Sequence, residues 1–491
     1  MTCGARRNAC VSVHVQEDAE APLRRYGLEQ LLRMSGVRYD FGTFSEPTVY
    51  CGSEPRLGRR AAVWISAETG NAAGRHRREH EHLVLVEIQG VPVPVPAGGH
   101  PPHDLWTGNQ LMFDVAKAAS FFLALTSEEY AARRDRHGRV PAEASLLGRS
   151  GWLNRPPVMV YARLLAERLR SCGVLGEPVP LWPKGKKYAV ALTHDVDAPE
   201  RRGRCSSLLK KMLFGGRPAR KIAYWELRSE VRVRGLREAC LYPATLRKEW
   251  DFANVCAVES AVGLRSAFYF AMANRAEGHP CDVDYDASLP RYRRLYRRLA
   301  AGGWEVGLHV AYLTYLDCPS AEIQYRRFAA LAGAGPAGVR HHCLQLGAEE
   351  PLRMLGTHAD AGAVYDTSGG FNDEPGFRFG TALPFEPFDP RRSAASRLLE
   401  LPMTIADMHL LPDDTETTVE ATLGHLRCVR ELEGLAVLNW HVGTWHVAPA
   451  WRESYHALCR FIAEDTDAWV ATPREVAAWW RLRGTSLKAT A

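Results

Sequence analysis

The chain has no run of 18 or more apolar residues, which excludes a stretch of the length that a bilayer-crossing helix needs. It also has no C-x-x-C pair. Its 12 cysteines stand far apart, at 3, 10, 51, 172, 205, 240, 256, 281, 318, 343, 428 and 459. That spacing argues against a disulfide framework and a thiolate zinc site, and leaves most of them as small core residues. The opening MTCGARRNACVSVHVQEDAE has no apolar core of signal-peptide length and soon turns acidic, so a cytoplasmic location is the expectation. No nucleic-acid recognition motif is evident, and a net charge of +6 over 491 residues is weak support for such a partner. No nucleic acid is therefore expected.

What is present is the composition of a globular protein, 46% hydrophobic and 24% charged, with a length that calls for two or three domains. Charge is uneven. Residues 201–238 carry 12 Lys/Arg against 3 Asp/Glu, a local +9 that leaves −3 for the remainder. Apolar residues mixed into that segment, such as Leu208, Leu213, Ile222 and Trp225, predict amphipathic helices with a basic outer face. The segment reads as an insertion at about 200–245 that covers the core, with peripheral contact to an anionic surface as its functional alternative.

Residues 1–180 read as a mixed α+β N-terminal domain. Strands are expected at 61–65 and 83–88 and helices at 113–123 and 158–170, with the Pro/Gly-rich stretch 91–104 as a separator. The punctuated segment 171–187 is the expected boundary. From 188 onward strands alternate with amphipathic helices, at 188–193, 265–271, 304–309, 337–342, 363–366, 399–404, 436–441 and 468–471. One helix face is read from Leu289, Tyr292, Leu295, Tyr296 and Leu299, and another from Val419, Thr422, Leu423, Leu426 and Val429. Thr472-Pro-Arg-Glu475 has the form of a capping box opening the last helix. This alternation predicts a parallel α/β architecture, a barrel rather than an open sheet, because polar residues recur at the strand ends.

The sharpest of those ends is Thr193-His-Asp-Val-Asp197. Two carboxylates two residues apart in extended chain point the same way, and such a pair needs a cation or a shared proton. A helix cap plus a surface acid is the competing reading. Other strand ends supply His309, then Arg340, His341 and His342, then Asp366, then Asp407 and His409, then Asn439 and His441. One carboxylate with two imidazoles suits Zn²⁺ or a similar divalent ion with an open position for water.

The ordered set LTHDVD, RSAFYFAMA, EVGLHVAY, GVRHHCL, YDTSGGFNDEPGFRFGTALPFEPFD, LELPMTIADMHL and VLNWH resembles the polysaccharide deacetylases of carbohydrate esterase family 4, the NodB homology fold. The segment 113–157 resembles a bacterial subgroup with an extra N-terminal domain of unknown function. The resemblance implies a distorted (β/α)7 barrel over 184–485, a divalent metal and removal of acetyl groups from amino sugars. It implies Asp195 as catalytic base, Asp197 and His309 as metal ligands, Arg340 as the residue that positions the base, and His441 as acid. The family's second histidine falls four residues after the first, where this chain has Leu313. His342 is the expected substitute ligand, because His341 should face the other side of the strand. Asp366, Arg378, Asp407 and Trp440 are the expected substrate contacts, with core or structural pairing as the alternative for Trp440 and Arg378. The expected substrate is an N-acetylated glycan or its precursor in surface-polysaccharide assembly. The alternative is a degenerate barrel that binds glycans without turning them over.

Overall fold

The computed structural model describes residues 10–67, 83–96, 101–199, 252–347, 350–445 and 448–488. The helices expected within 201–238 lie outside the described residues. Two sheets dominate, and each forms where the chain supplies apolar runs too short for helices.

The N-terminal sheet contains β1 (Val11–Val15), β2 (Tyr39–Phe41), β3 (Val49–Gly52) and β4 (Val63–Ser66), with β7 (Trp106–Thr107) and β8 (Gln110–Leu111) at one edge. Its order is β2-β1-β3-β4-β8-β7, parallel except for the last pair. The helix Ala21–Met34 packs on β1 and carries the helices Val115–Leu123 and Pro157–Ser171 against it. The helix Val115–Leu123 starts where the Asp114 carboxylate accepts the Lys117 N–H, an ordinary N-cap.

Residues 91–96, expected as part of a separator, are instead strand β6 (Val91–Pro96), paired antiparallel with β5 (Leu83–Ile88). The sequence is VPVPVP. Prolines at every second position put all their missing N–H groups on one side, so the valines keep theirs for the partner strand.

In the second unit β9 (Tyr188–Val196) is buried at every position, as expected of a parallel strand covered on both faces. On one side follow β10 (Ala267–Ala271), β11 (Glu305–Val310), β12 (Gly338–His341), β13 (Tyr365–Asp366) and β16 (Leu399–Glu400). On the other lie β18 (Leu435–Asn439) and β17 (Met403–Ala406). All of these ladders are parallel. A short antiparallel pair, β14 (Phe388–Asp389) with β15 (Ala394–Ala395), and β19 (Ala468–Val470) beside β9 complete the strands among the described residues.

The sheet curls into an open half-barrel whose two edge strands, β16 and β17, are separated in the chain only by Leu401 and Pro402. The strand expected over 399–404 is thus divided, its first half pairing with β13 and its second with β18. Pro402, with no N–H to give to a ladder, sits at the division. The expected (β/α) barrel is distorted at this seam. The helix Thr415–Glu431 buries Thr418, Thr422, His425, Leu426 and Val429, a face rotated slightly from the expected one. The Thr472 capping box forms as read.

The two units share one core. Trp182, in the expected boundary segment, packs against Trp469 and Trp480, and Arg483 donates to the Arg33 carbonyl. Among the described residues no helix is long and apolar enough to cross a membrane.

Candidate metal centre and acid–base pair

Alternation along β9 sorts its polar residues. His194 points to the helix side, where its ring nitrogens meet the Trp440 carbonyl at 2.8 Å and Glu259 at 2.9 Å. Thr193 and Asp195 point inward, and Asp197 just beyond the strand keeps the same side. Both aspartates are buried, so neither is a helix cap nor a surface acid.

Asp195 is gripped through both oxygens. Arg340 Nη1 donates to Oδ1 at 3.1 Å and Asn439 Nδ2 donates to Oδ2 at 2.9 Å. Burial pushes the Asp195 carboxyl up, but the Arg340 guanidinium, with His309 and His441, outweighs it and holds the group below the usual carboxylate range. Arg340 is itself fully buried. It is fixed by the Thr193 hydroxyl, by the carbonyl and hydroxyl of Thr367, and by the ring of Tyr269 at 4.9 Å.

Asp197 faces three imidazoles. Its Oδ1 lies 3.4 Å from His309 Nε2, and its Oδ2 lies 3.8 Å from both His342 Nε2 and His441 Nε2. Burial raises its pKa, while His342, His309 and His441 drive it well below the ordinary value. Ligand atoms of Asp197, His309 and His342 all lie within 4.8 Å of one another, and these three are the one such group among the described residues.

The atoms at this point fit a cation. His309 Nδ1 sits 3.0 Å from the Arg340 carbonyl, so it carries the proton and leaves Nε2 as a bare acceptor. That Nε2 and Asp197 Oδ1 are both buried without a hydrogen bond. Two lone pairs facing each other in a dry site are unfavourable unless a positive ion lies between them.

His342 is placed differently. It opens a 3₁₀ turn directly after β12, and its Nδ1 meets Asp282 Oδ1 at 3.2 Å. Burial disfavours its charged form, but Cys343, Asp197 and Asp282 beside it raise its pKa well above the ordinary value. The next two residues, Cys343 and Leu344, have φ of 57° and 52°. This is the left-handed region, which costs a residue with a Cβ about 1–2 kcal/mol. His341 turns to the opposite face and packs near His358, in keeping with the strand parity. Leu313 lies half-buried in the turn Tyr312–Tyr315.

His441 lies across from Arg340. Its Nε2 is 3.8 Å from both Asp195 Oδ2 and Asp197 Oδ2, and its Nδ1 meets Asp407 Oδ1 at 2.7 Å. Burial pulls the imidazole down, but Asp407 with Asp197 and Asp195 overcomes this, and its pKa is pushed up to about 9. At neutral pH it holds a proton.

The four residues expected as substrate contacts are buried. Asp407 is fully buried, and besides Nδ1 of His441 it accepts the His441 N–H and the Thr444 hydroxyl; it orients His441. Asp366 is fully buried with both oxygens bonded to Ser368. Arg378 makes a buried two-point pair with Glu128 of the N-terminal unit, at 2.7 and 3.1 Å. Trp440 is buried and donates to the Trp451 carbonyl. In each case the polar atoms find partners within the fold.

Asp282 sits in an irregular loop, where no periodic signal marks it in the sequence. Asn439 ends its strand, a position that by itself names no role. Its signal was parity with Val437 and Leu435 on β18, opposite the strand that carries Asp195.

Residues 15–173 match the model of a family of unknown function, DUF7033, which fits the expected extra N-terminal domain. A search of curated proteins found no match. Among solved structures, a protein assigned as a polysaccharide deacetylase from Mycobacterium smegmatis is similar at 18% identity and a TM-score of 0.40, covering 62% of this chain and 93% of that one. A Puue allantoinase is similar at 15% identity and a TM-score of 0.40, with 62% and 94% covered. A further protein, assigned as a polysaccharide deacetylase from Pseudomonas aeruginosa PAO1, gives 15% identity, a TM-score of 0.38 and coverage of 62% and 95%.

Proposed function

We propose that this protein is a metal-dependent hydrolase of an amide C–N bond, an N-deacetylase acting on an N-acetylated sugar in surface-polysaccharide assembly. One observation carries the reading. An ionised carboxylate, Asp195, and a protonated imidazole, His441, flank a buried Asp-His-His group whose facing lone pairs suit a cation. Asp197, His309 and His342 are the residues that would hold the ion, and zinc suits that donor set. A divalent ion held by them would polarise an amide carbonyl and acidify a bound water.

The chain's own residues supply the proton transfers. Asp195, kept ionised and aimed by Arg340 and Asn439, takes a proton from the attacking water as its oxygen bonds to the carbonyl carbon. His441 Nε2 then gives its proton to the amide nitrogen as the C–N bond breaks, and Asp407 holds the ring in the orientation for that transfer. The products are acetate and a free amine. The sugar class comes from the motif resemblance.

The test is metal content of the purified protein beside His309→Ala, His342→Ala and Asp197→Ala, followed by acetate release from N-acetylglucosamine oligomers. Near-stoichiometric zinc in the wild type, lost in all three variants, with acetate released by the wild type, is the expected result. A wild type that takes up no divalent ion after reconstitution sinks the proposal in favour of a non-catalytic glycan-binding barrel.

A further inference from the structure

His309 stands on a strand, whereas His342 stands on a turn bent through two left-handed residues, Cys343 and Leu344. A ligand on such a turn needs outside support to hold one geometry. The support comes from the N-terminal unit. Arg139 Nη1 donates to the Cys343 carbonyl at 2.9 Å, and the His137 carbonyl accepts from Gln345 Nε2 at 2.6 Å. Arg139 is braced in turn by Asp135, whose carboxylate takes Arg139 Nε at 2.9 Å and the N–H groups of His137 and Arg139. The same segment reaches the other side of the ligand. His137 Nδ1 meets the Tyr312 hydroxyl at 2.6 Å, and the Tyr312 N–H binds Asp282 Oδ1, the atom that orients His342.

We propose that the turn Asp135–Arg139 is a positioning element of the metal centre, so that the N-terminal unit sets the affinity of the barrel for its ion by fixing the backbone that follows His342. This rests on the metal reading above and goes beyond it, because it gives the N-terminal unit a role in a site to which it contributes no ligand. Its physical basis is that an outer contact which orients a metal ligand is worth about a 10- to 100-fold change in affinity. Arg139 acts through Cys343 and touches neither the ion nor the substrate.

The experiment measures zinc affinity by chelator competition on the full chain, with thermal melting alongside. Arg139→Ala is expected to bind zinc about 10- to 100-fold more weakly, and Arg139→Lys, which keeps one donor, falls between it and the wild type. Arg133→Ala breaks an exposed pair with Glu143 in the same region and is expected to bind zinc as the wild type does. Arg139→Ala that melts lower but binds zinc with wild-type affinity shows a merely structural contact and overturns the proposal. Should Arg139→Ala fail to fold, Gln345→Ala removes the second tie from the barrel side, and unchanged affinity in that variant overturns it equally. A wild type that binds no zinc removes the metal reading and this inference together, whereas a zinc-binding wild type with unaffected variants removes this inference alone.

Discussion

The barrel buries two pairs of acids, and it treats them in opposite ways. Asp195 and Asp197 are surrounded by Arg340, His309, His342 and His441, and both carboxyls are held below the ordinary range. Glu400 lies beside Asp366 on neighbouring strands, and both are fully buried. There the nearby imidazoles are no help, since burial, first of all, holds both His341 and His358 below their usual pKa. Arg378, paired with Glu128, offsets the burial of Glu400 only in small part. Burial, reinforced by Asp366, therefore pushes Glu400 well above the carboxylate range. A strand-end acid becomes reactive when the fold supplies cations to keep it charged, and inert when it keeps its proton.

Removing the cation from the first pair should make it resemble the second. Arg340→Met leaves Asp195 buried opposite an apolar chain, and breaking such a pair from one side costs about 3–5 kcal/mol. Urea unfolding should show that loss at pH 7, together with a base that now holds a proton. A variant as stable and active as the wild type would mean that Asn439 alone keeps Asp195 charged.

Next in size is the acid itself. Asp195→Asn keeps the shape and the hydrogen-bond capacity but cannot accept a proton, and the turnover rate should fall by about 10²–10⁴-fold. Metal content should stay at the wild-type level, because Asp195 is outside the Asp197-His309-His342 group. Loss of metal in this variant would exchange the roles assigned to the two aspartates. A smaller effect is expected from Asp407→Asn, which withdraws the negative charge that raises His441 to about 9. His441 acts in its protonated form, so activity is lost as pH rises through its pKa, and this alkaline limb should move to lower pH in the variant. A limb that stays in place would show that His441 is not the group it reports.

Much of the site was legible because strands sort side chains by parity. Asp195, Asp197, His309, Arg340 and His441 stand at or just beyond strand ends, and the choice of His342 over His341 followed from alternation alone. The open part was everything set by loops and by contact between the two units. Asp282 orients His342 from an irregular loop, Arg139 reaches Cys343 across 204 positions of sequence, and Arg378 finds Glu128 across 250. No period in the chain encodes such pairings. The same limit applies to Asp366, Arg378, Asp407 and Trp440, whose partners within the fold, such as Glu128 for Arg378 and Trp451 for Trp440, no local pattern announces. In the N-terminal unit, VPVPVP was read as punctuation because its prolines outweighed the alternation that makes it an edge strand.

The second pair yields the cleanest sign. Burial holds the Glu400 carboxyl well above the usual carboxylate range in the folded protein, whereas in the unfolded chain it loses its proton above about pH 4.3. The unfolded state then binds fewer protons than the folded one, so this group's contribution to stability declines as pH rises. Glu400→Gln removes that dependence while keeping an oxygen to accept the Gly369 N–H, which Glu400 now does at 2.9 Å, and an amide donor toward Asp366. The variant should match the wild type within about 1 kcal/mol at pH 4, then become the more stable of the two as pH rises to 8. Unfolding by urea at the two pH values reads this directly. If the wild type instead gained on the variant toward pH 8, Glu400 would be ionised in the fold, and the two acid pairs would be held by the same electrostatics after all.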